Sequence, residues 1–257
     1  MELSVNDLKF GYTKKTLVVK GISFSAQPGQ LISLIGPNGS GKTTIVKCLN
    51  KILTPTSGNI ALDGKDVKKM TAREMARRIA YVPQFTNSYL SGSVMDVVMM
   101  GRRPYIKWRV SDADVEIVLA VLKDLELEEL AHEQFQELSG GQKQKILIAR
   151  ALVQKPDLYL FDEPISFLDI KNQIDIMELA RNMVDKENKA VIMVVHDLNM
   201  AMRYSDQVIL LKSGAVEAAG LPKSVLNQKH IKEVYGVDTR IIEGQFITPT
   251  YGREVSA

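Results

Sequence analysis

A glycine-rich segment between an apolar run and a helical segment limits the possible folds of this chain most strongly. Residues 36–43 read GPNGSGKT, fit the pattern GxxxxGK[ST], and directly follow the apolar run LISLI at 31–35. In this pattern the glycines let backbone N–H groups point inward around a phosphate, and the N-terminus of the next helix adds partial positive charge. The pattern requires a strand before the loop and a helix after it, and both are predicted here. The segment therefore predicts a phosphate-binding loop on an α/β core.

Individual residues of this loop have separate predicted roles. Lys42 is placed to neutralise the β- and γ-phosphates of a nucleotide, and Thr43 offers a hydroxyl to Mg²⁺. A chance glycine-rich turn is the alternative, and the strand and helix around the loop argue against it. The nucleotide-binding residues predicted from this loop are Pro37, Asn38, Gly39, Ser40, Gly41, Lys42, Thr43 and Thr44.

A second glycine-rich turn and an acidic pair occur much later in the chain. LSGGQ at 138–142 runs into a helical segment, and Asp162 and Glu163 follow the apolar strand LYLF at 158–161. Ligands sit at the carboxyl ends of parallel strands, so Asp162 is predicted to hold Mg²⁺ through water and Glu163 to polarise an attacking water. By itself such a pair is more often part of a solvated loop, but beside the Lys42 loop it becomes specific. The two turns together predict a nucleotide held between two surfaces.

Short apolar strands recur along the chain with helical segments between them, which is the α/β pattern. Near-continuous apolar runs at 158–161 and 191–195 are typical of parallel strands covered on both faces. The opening 24 residues alternate instead, which predicts an antiparallel edge sheet. Further strands are predicted at 58–62, 79–82, 207–212, 215–219, 239–243 and 246–250, and helices at 43–52, 93–100, 112–123, 140–153 and 222–235. The stretch from 84 to 140 has no convincing strand and is predicted to be a helical insertion.

Composition and charge exclude several classes of function. The 257 residues include 33 basic and 30 acidic side chains mixed along the chain, so no basic block points to a nucleic-acid partner. The single cysteine, Cys48, excludes an internal disulfide framework, fits a reducing compartment and is predicted to be a packed core thiol. No apolar run approaches the roughly 20 residues that span a bilayer, and the first residues lack a secretory pattern. We therefore expect a cytoplasmic protein, which can still attach to a partner in the membrane.

Several motifs, taken in order, resemble the nucleotide-binding subunit of ABC transporters. They are LSGGQ at 138–142, IARAL at 148–152, DEP at 162–164 and SFLD at 166–169, and the resemblance covers roughly the first 220 residues. It implies an α/β P-loop NTPase fold of the ABC ATPase type, with a RecA-like core, an antiparallel β subdomain and a helical subdomain. One ABC ATPase domain over 1–257 is expected, with 1–84 and 156–220 as nucleotide-binding core, 85–155 as helical subdomain and 221–257 as a C-terminal accessory segment.

The resemblance also implies roles for residues outside the two glycine-rich turns. Tyr12 resembles the aromatic residue that stacks on adenine, Gln84 the glutamine that senses Mg²⁺ and water, and His196 the switch histidine that contacts the γ-phosphate. Each has a plainer alternative, namely a turn aromatic, a surface-loop residue and a satisfied histidine at a strand end, but their joint occurrence favours the functional roles. The predicted catalytic residues are Glu163, His196 and Gln84, and the predicted metal ligands are Thr43, Gln84 and Asp162, with ATP and Mg²⁺ as cofactors.

Two positions depart from the family pattern. Ile165 stands where the family usually has Thr, and Lys145 where it usually has Arg. Lysine keeps the charge but loses the planar two-pronged donor, so an ion pair of Lys145 is expected to be weaker. Neither position is a direct catalytic group in the family pattern, so ATP hydrolysis is still expected.

In the resembling family, the second glycine-rich turn acts on the nucleotide of another subunit. The implied contacts to the γ-phosphate of ATP on a facing copy come from Ser139, Gly140, Gly141 and Gln142, and Asp169 is expected at the same interface. A serine hydroxyl, glycine N–H groups and a helix N-terminus form an anion site, which is consistent with that role. The predicted unit is a head-to-tail homodimer that encloses two Mg·ATP and opens when the γ-phosphate is lost.

Transport requires membrane partners, which in this family dock on the helical subdomain. The apolar residues of 84–101 either present a groove to a permease helix or form subdomain core, and Trp108 is similarly ambiguous. The residues in question are Leu90, Val94, Met95, Val98 and Met99. VVMMGRRPY at 97–105 and VYGV at 234–237 resemble the branch that imports iron chelates, haem and cobalamin. We therefore expect an importer ATPase for an iron-siderophore, haem or cobalamin ligand at the cytoplasmic face of the membrane, partnered by a permease and indirectly by an extracytoplasmic substrate-binding protein.

Two other classes of protein share the first loop. A soluble ABC ATPase of DNA repair, chromosome structure or translation usually has a long coiled-coil insertion or two tandem ATPase domains, whereas this insertion has only about 55 residues and no heptad run. A P-loop kinase has no need of the turn at 139–141 or of the helix after it. The importer ATPase is therefore the favoured hypothesis.

Overall fold

Strands and helices alternate along most of the chain. The computed structural model describes residues 1–13, 15–84, 90–166 and 168–250. Its strands are Leu3–Phe10 (β1), Val19–Ala26 (β2), Gln30–Ile35 (β3), Ser57–Leu62 (β4), Lys65–Asp66 (β5), Ile79–Val82 (β6), Leu158–Asp162 (β7), Ala190–Val194 (β8), Gln207–Lys212 (β9), Ala215–Gly220 (β10), Thr239–Ile242 (β11) and Phe246–Pro249 (β12). Its α-helices are Lys42–Leu49 (α1), Ala72–Arg78 (α2), Val94–Met99 (α3), Asp112–Asp124 (α4), Gly140–Leu152 (α5), Ile170–Asp185 (α6), Leu198–Tyr204 (α7), Pro222–Val225 (α8) and Gln228–Tyr235 (α9).

A six-stranded sheet carries the loop that follows β3. Its strand order is β10-β9-β3-β8-β7-β6, and all neighbours are parallel except β10 and β9. Every residue of β7 and of β8 is buried, because helices or the second sheet cover both faces, and this explains their continuous apolar sequences. The predicted α/β architecture is confirmed. The carboxyl ends of β3, β7 and β8 meet at one edge, where β3 leads into the glycine-rich loop.

The alternating N-terminal segment forms a separate antiparallel sheet of order β2-β1-β4-β5. Side chains of β1 such as Leu3, Val5 and Leu8 are fully buried, while polar neighbours face outward. The predicted strand at 58–62 belongs to this sheet, as β4 paired with β1. The predicted antiparallel β subdomain is confirmed, as a four-stranded sheet of its own that shares a core with α1 and one face of the six-stranded sheet. Cys48 is buried in that core, and burial raises the pKa of its thiol to about 11.

The described part of the segment between β6 and β7 is helical, as predicted, and it packs on the other face of the large sheet through α3, α4 and α5. Val94 and Val98 are fully buried, and Leu90, Met95 and Met99 are half-buried against the same core. Of the two alternatives for these residues, subdomain core is the one that the packing supports. Nothing in the described ranges has the length and apolar character of a membrane-crossing helix.

Several element boundaries differ from the sequence predictions for local reasons. Helix α1 ends at Leu49 rather than at 52, because Asn50 takes the C-cap position and Lys51 has a φ of 57°. The predicted helix over 222–235 is divided into α8 and α9, since the side chain of Asn227 caps a new helix by accepting from the backbone N–H of His230. Helices α2, α6 and α7 were not predicted. The strands predicted at 239–243 and 246–250 form the hairpin β11–β12.

Candidate nucleotide site

The glycine-rich loop connects β3 to α1 in a conformation that its glycines permit. Gly36 has a φ of 147°, and a Cβ atom there would lie 2.4 Å from the carbonyl oxygen of Leu211. Gly39 has a φ of 79°, and a Cβ atom there would meet no atom within 4 Å. The loop is therefore pressed against β9 at its start and open to a ligand at its tip. This open cradle beside the first turn of α1 fits a phosphate group.

Lys42 lies almost completely buried at the base of this loop. Its Nζ donates to the carbonyl oxygens of Gly36 at 2.7 Å and Pro37 at 3.0 Å. Burial lowers the pKa of the ammonium group, while the carboxylates of Glu163 and Asp162 act in the opposite direction. The loop thus carries a cation that needs anionic partners, and phosphate oxygens fit that requirement.

The carboxylate of Asp162 is held at the end of β7 by two hydroxyl groups. Thr43 Oγ1 donates to Oδ1 at 2.8 Å, and the phenol of Tyr81 donates to Oδ2 at 3.1 Å. Burial raises the pKa of Asp162, although both hydrogen bonds act in the opposite direction. Sequence reasoning missed Tyr81, which is visible as a partner only once β6 is known to pair with β7.

The hydroxyl of Thr43 and the carboxylate of Asp162 are hard oxygen donors that suit Mg²⁺. The described residues contain no group of three or more His, Cys, Asp or Glu side chains that could hold a metal by themselves. Mg²⁺ usually takes only one or two protein carboxylates and completes its shell with water and substrate phosphates. The donor set of this site therefore fits Mg²⁺ in the presence of a nucleotide.

Two predicted site residues, Gln84 and His196, contact the carboxylate of Glu163. One carboxylate oxygen, Oε1, lies 2.7 Å from His196 Nε2, and the other, Oε2, accepts from Gln84 Nε2 at 2.7 Å. Ser166, which sequence reasoning missed, donates to Oε2 at 3.2 Å. The backbone φ of Glu163 is 54°, in a region that residues other than glycine seldom adopt. This backbone conformation directs the carboxylate back toward the carboxyl edge of the sheet.

Glu163 and the glycine-rich loop line one cavity of about 350 Å³. Tyr12 and Val18 form its outer wall, and Asn38, Gly39, Gly41, Lys42, Thr43 and Thr44 contribute from the loop and α1. The Tyr12 side chain is 64% exposed, with its hydroxyl 3.5 Å from Thr44 Oγ1 and its ring edge-to-face with Phe10. An exposed aromatic ring at the mouth of a phosphate-binding cavity can stack on a planar base.

Residues 139–142 do not line this cavity and lie on a different surface. Ser139 is the N-cap of α5, where its Oγ accepts from Gln142 N at 3.3 Å and Gln142 Oε1 accepts from Ser139 N at 2.9 Å. Gly140 is exposed and has open space around its Cα. A Cβ atom on Gly141 would lie 3.6 Å from the Leu168 side chain, so the turn adjoins the segment that leads to Asp169. Asp169 is exposed and caps α6 by accepting from Asn172 N at 2.8 Å.

The two positions that depart from the family pattern have ordinary surroundings. Ile165 is buried in the core, and Lys145 Nζ lies 3.6 Å from Asp175 Oδ2 in a partly exposed pair. Pairs of this kind contribute little to stability. Neither side chain contacts the carboxylates of the cavity.

A separate groove of about 530 Å³ lies between α1, α2 and the N-terminal part of the helical region. Its walls include Met75, Ile79, Tyr81, Met100 and Arg150. Tyr81 therefore contributes to the groove and donates its hydroxyl hydrogen to Asp162. The groove has both apolar and polar walls, the latter including Lys51, Arg150 and Gln154, and none of its lining residues lines the cavity of the glycine-rich loop.

Comparisons with known proteins give a consistent result. The sequence profile of the family described as ABC transporter matches residues 19–166. The chain is 46% identical over 242 residues to an uncharacterized ABC transporter ATP-binding protein of Methanocaldococcus jannaschii, with 94% of each chain covered. It is 34% identical over 252 residues to the petrobactin import ATP-binding protein of Bacillus anthracis, covering 96% of this chain and 92% of that protein. The dimeric structure of a bacterial ABC transporter cassette is similar with a TM-score of 0.78 and 28% identity, over 86% of this chain and 98% of that one.

Proposed function

Because the chain belongs to the ABC transporter family and is an ATP-binding ATPase of that family, we propose that it drives a membrane importer by closing as a homodimer around ATP. The observation that carries the proposal is the position of Glu163, which shares one cavity with the glycine-rich loop and is held by Gln84 and His196. ATP is placed with its phosphates in the loop and its adenine against Tyr12.

The phosphate end of the nucleotide lies among cationic and N–H donors. Lys42 and the backbone N–H groups of residues 38–44 bind the β- and γ-phosphate oxygens, and the dipole of α1 acts in the same direction. Thr43, Gln84 and Asp162 are the side chains that would hold Mg²⁺. When bound, Mg²⁺ supplies positive charge that neutralises the phosphate oxygens.

Hydrolysis requires a water molecule aligned with the γ-phosphorus and a group that takes its proton. Glu163 is the base in this proposal, because its carboxylate faces the loop and its orientation is fixed from both sides. The water oxygen bonds to the γ-phosphorus, the bond to the ADP oxygen breaks, and the proton passes to Glu163. His196 and Gln84 keep the carboxylate in place and contact the γ-phosphate and the water.

A second copy completes the site in this proposal. Ser139 and Gly140 form an exposed helix N-terminus that does not reach the cavity of its own chain. In a head-to-tail dimer this turn covers the γ-phosphate of the facing copy, and Asp169 on the same surface lies at the interface. The dimeric cassette of similar fold supports this arrangement. Loss of the γ-phosphate removes the shared contacts and opens the dimer.

The proposed cargo is an iron chelate, with haem and cobalamin as the related ligands. The similarity to a petrobactin import protein supports an importer. The partners are a permease and, through it, an extracytoplasmic substrate-binding protein, which places the chain at the cytoplasmic face of the membrane. We assign the permease to the groove beside α2, which includes Met100 and Gly101 from the end of the segment 84–101, because a cleft with both apolar and polar walls accepts a short amphipathic helix.

The non-transport alternative has no support in the helical region. Soluble ABC ATPases of that class have a long coiled-coil insertion, whereas the longest helices described between β6 and β7, α4 and α5, have 13 residues each. A heptad coiled coil needs several times that length.

Glu163→Gln tests the catalytic part of the proposal. The variant should bind ATP and hydrolyse it about 10²- to 10⁴-fold more slowly, because an amide does not take the proton from water. With ATP and Mg²⁺ it should elute from size-exclusion chromatography as a dimer. Glu116→Gln, at an exposed position on α4, is the matched control and should hydrolyse ATP at the normal rate. Normal hydrolysis by Glu163→Gln would refute the role of Glu163.

Gly140→Asp in the Glu163→Gln background tests the dimer. Gly140 has open space around it, so the new side chain fits, but its charge repels a phosphate. ATP binding by the single chain should persist while the ATP-dependent dimer disappears. If ATP binding is lost instead, the turn at 139–142 acts on the nucleotide of its own chain and the exchange between copies is refuted.

A further inference from the structure

Trp108 is the only tryptophan of the chain and is 98% exposed. It lies in the segment RPYIKWRV at 103–110, here named the basic loop, between the exposed side chains of Lys107 and Arg109. The fifteen residues 97–111 contain four basic residues and no acidic residue, although the whole chain carries 33 basic and 30 acidic side chains in mixed order. The basic loop therefore combines a large exposed aromatic ring with a local excess of positive charge.

The base of the loop is fixed by contacts that do not involve Trp108. Arg73 on α2 donates from Nε to the carbonyl oxygen of Pro104 at 2.8 Å and from Nη2 to that of Ile106 at 3.2 Å. The guanidinium groups of Arg77 and Arg102 lie 5.3 Å and 4.2 Å from the centre of the Tyr105 ring. These contacts hold the loop in shape, so folding does not require an exposed tryptophan at its tip.

The basic loop adjoins the groove assigned to the permease. The inference that the loop faces the membrane rests on that proposed function. Helix α2 supplies Met75 to the groove and Arg73 and Arg77 to the base of the loop. Met100 lines the groove a few residues before the loop and is itself 45% exposed. A helix of a membrane protein seated in the groove would place the membrane on this side of the molecule. The tip of the loop would then face the bilayer surface.

We propose that the basic loop is an interfacial anchor that binds the anionic headgroups of the membrane. Tryptophan partitions to the headgroup level of a bilayer because its ring is apolar and its N–H can donate to a polar group. Lysine and arginine beside it are attracted by the negative surface potential of the cytoplasmic leaflet. Charge complementarity identifies the binding partner as anionic lipid, because the basic residues would not strengthen binding to an electroneutral membrane. The loop thus assists the permease in holding the ATPase at the membrane.

Intrinsic fluorescence gives a direct test, because Trp108 is the only source of tryptophan emission. The full chain is mixed with vesicles of phosphatidylcholine alone and with vesicles in which about a third of the lipid is phosphatidylglycerol. We expect a blue shift of the emission and co-sedimentation with the anionic vesicles only, weakened by added salt.

Charge-matched variants distinguish the contribution of the basic loop to vesicle binding from that of the net charge of the protein. Lys107→Gln with Arg109→Gln should weaken partitioning to anionic vesicles about 25-fold, since each cation contributes about a factor of five. Lys223→Gln with Lys229→Gln lowers the formal net charge of +3 by the same two units at exposed positions far along the chain and should bind as the unmodified protein does. ATP hydrolysis should stay normal in both variants, because neither pair lines the nucleotide cavity.

Each other result overturns the proposal. No binding to either vesicle, or binding that both variants weaken equally, would exclude the basic loop as a lipid anchor. If vesicles do not bind but the loop variants lose co-purification with the permease, the occupant is protein. The ATPase and dimer assays do not depend on the loop, so a lack of vesicle binding would leave the proposed function intact. A lack of ATP hydrolysis or of the ATP-dependent dimer would refute the proposed function whether or not vesicles bind.

Discussion

Replacing Asn199 by alanine should release the C-terminal hairpin while leaving the rest of the fold in place. Asn199 lies on α7, three residues after His196, and its side chain faces the backbone of Ile247 in β12. Ile247 N donates to Asn199 Oδ1 at 2.7 Å, and Asn199 Nδ2 donates to the carbonyl oxygen of Ile247 at 3.3 Å. The amide thus pairs with the outer strand of the hairpin as another strand would. Asn199→Ala removes both bonds.

The magnitude follows from the burial of Ile247, which is 6% exposed. Each of the two hydrogen bonds makes a net contribution of about 0.5–1.5 kcal/mol to stability, and a buried N–H left without a partner costs about 1–3 kcal/mol. Water can reach part of the hairpin after the change, so we expect a loss of about 2 kcal/mol in the free energy of local opening. This corresponds to roughly thirtyfold faster opening of residues 239–249.

Amide hydrogen exchange followed by mass spectrometry measures this opening directly. Peptides from 239–249 should exchange roughly thirtyfold faster in Asn199→Ala, whereas peptides from β7 and β8 should keep their protection. Asn182→Ala, at an exposed position on α6, is the control and should leave exchange of the hairpin unchanged. Unchanged exchange of the hairpin in Asn199→Ala would refute the reasoning, because Ile241 and Ile247 would then hold it by apolar packing alone.

Two further substitutions test packing around the helical region. Arg102→Met should lower the free energy of unfolding by about 3–5 kcal/mol, because it leaves the carboxylate of Asp114 without the guanidinium that lies 2.9 Å away in a mostly buried pair. Thermal denaturation should show a drop of roughly 10 °C, while Arg103→Met at an exposed position should melt normally. Gly101→Ala should destabilise by about 1–3 kcal/mol, because the new Cβ would lie 2.0 Å from the carbonyl oxygen of Arg150. An unchanged urea midpoint would contradict that close approach.

The glycine-rich loop and the acidic strand end could be predicted because their information is local. The pattern of residues 36–43 needs only a strand before it and a helix after it, and β3 and α1 are both present. The continuous apolar runs of β7 and β8 likewise report burial on both faces. The exact helix ends were harder to predict from the sequence, because they depend on single capping residues such as Asn50 and Asn227.

Sheet membership could not be predicted for the strand at 58–62. Its three apolar residues, Ile60, Ala61 and Leu62, are consecutive and all buried, so they fit either sheet, and only the long-range register with β1 decides. Helix α6 has a recognisable sequence signal, because Asp169 caps it and buried residues recur at helical spacing at Ile176, Ala180 and Met183. The choice between groove and core for Met95 and its neighbours likewise depends on what α4 and α5 cover.

Tyr81 is the clearest case of a site residue that no local pattern reveals, because it lies between the groove and Asp162. Its ring lies in the wall of the groove and its hydroxyl donates to Asp162 at 3.1 Å. Burial and the neighbouring carboxylate raise the pKa of the phenol, so the group remains a donor at physiological pH. In the proposed function, a permease helix in the groove would contact Tyr81, whose hydroxyl holds the carboxylate assigned to Mg²⁺. Gln84, two residues beyond the end of the same strand, donates to Glu163. Within the proposed function, a shift of β6 would change the hydrogen bonds to both Asp162 and Glu163, so one strand would link partner binding to hydrolysis.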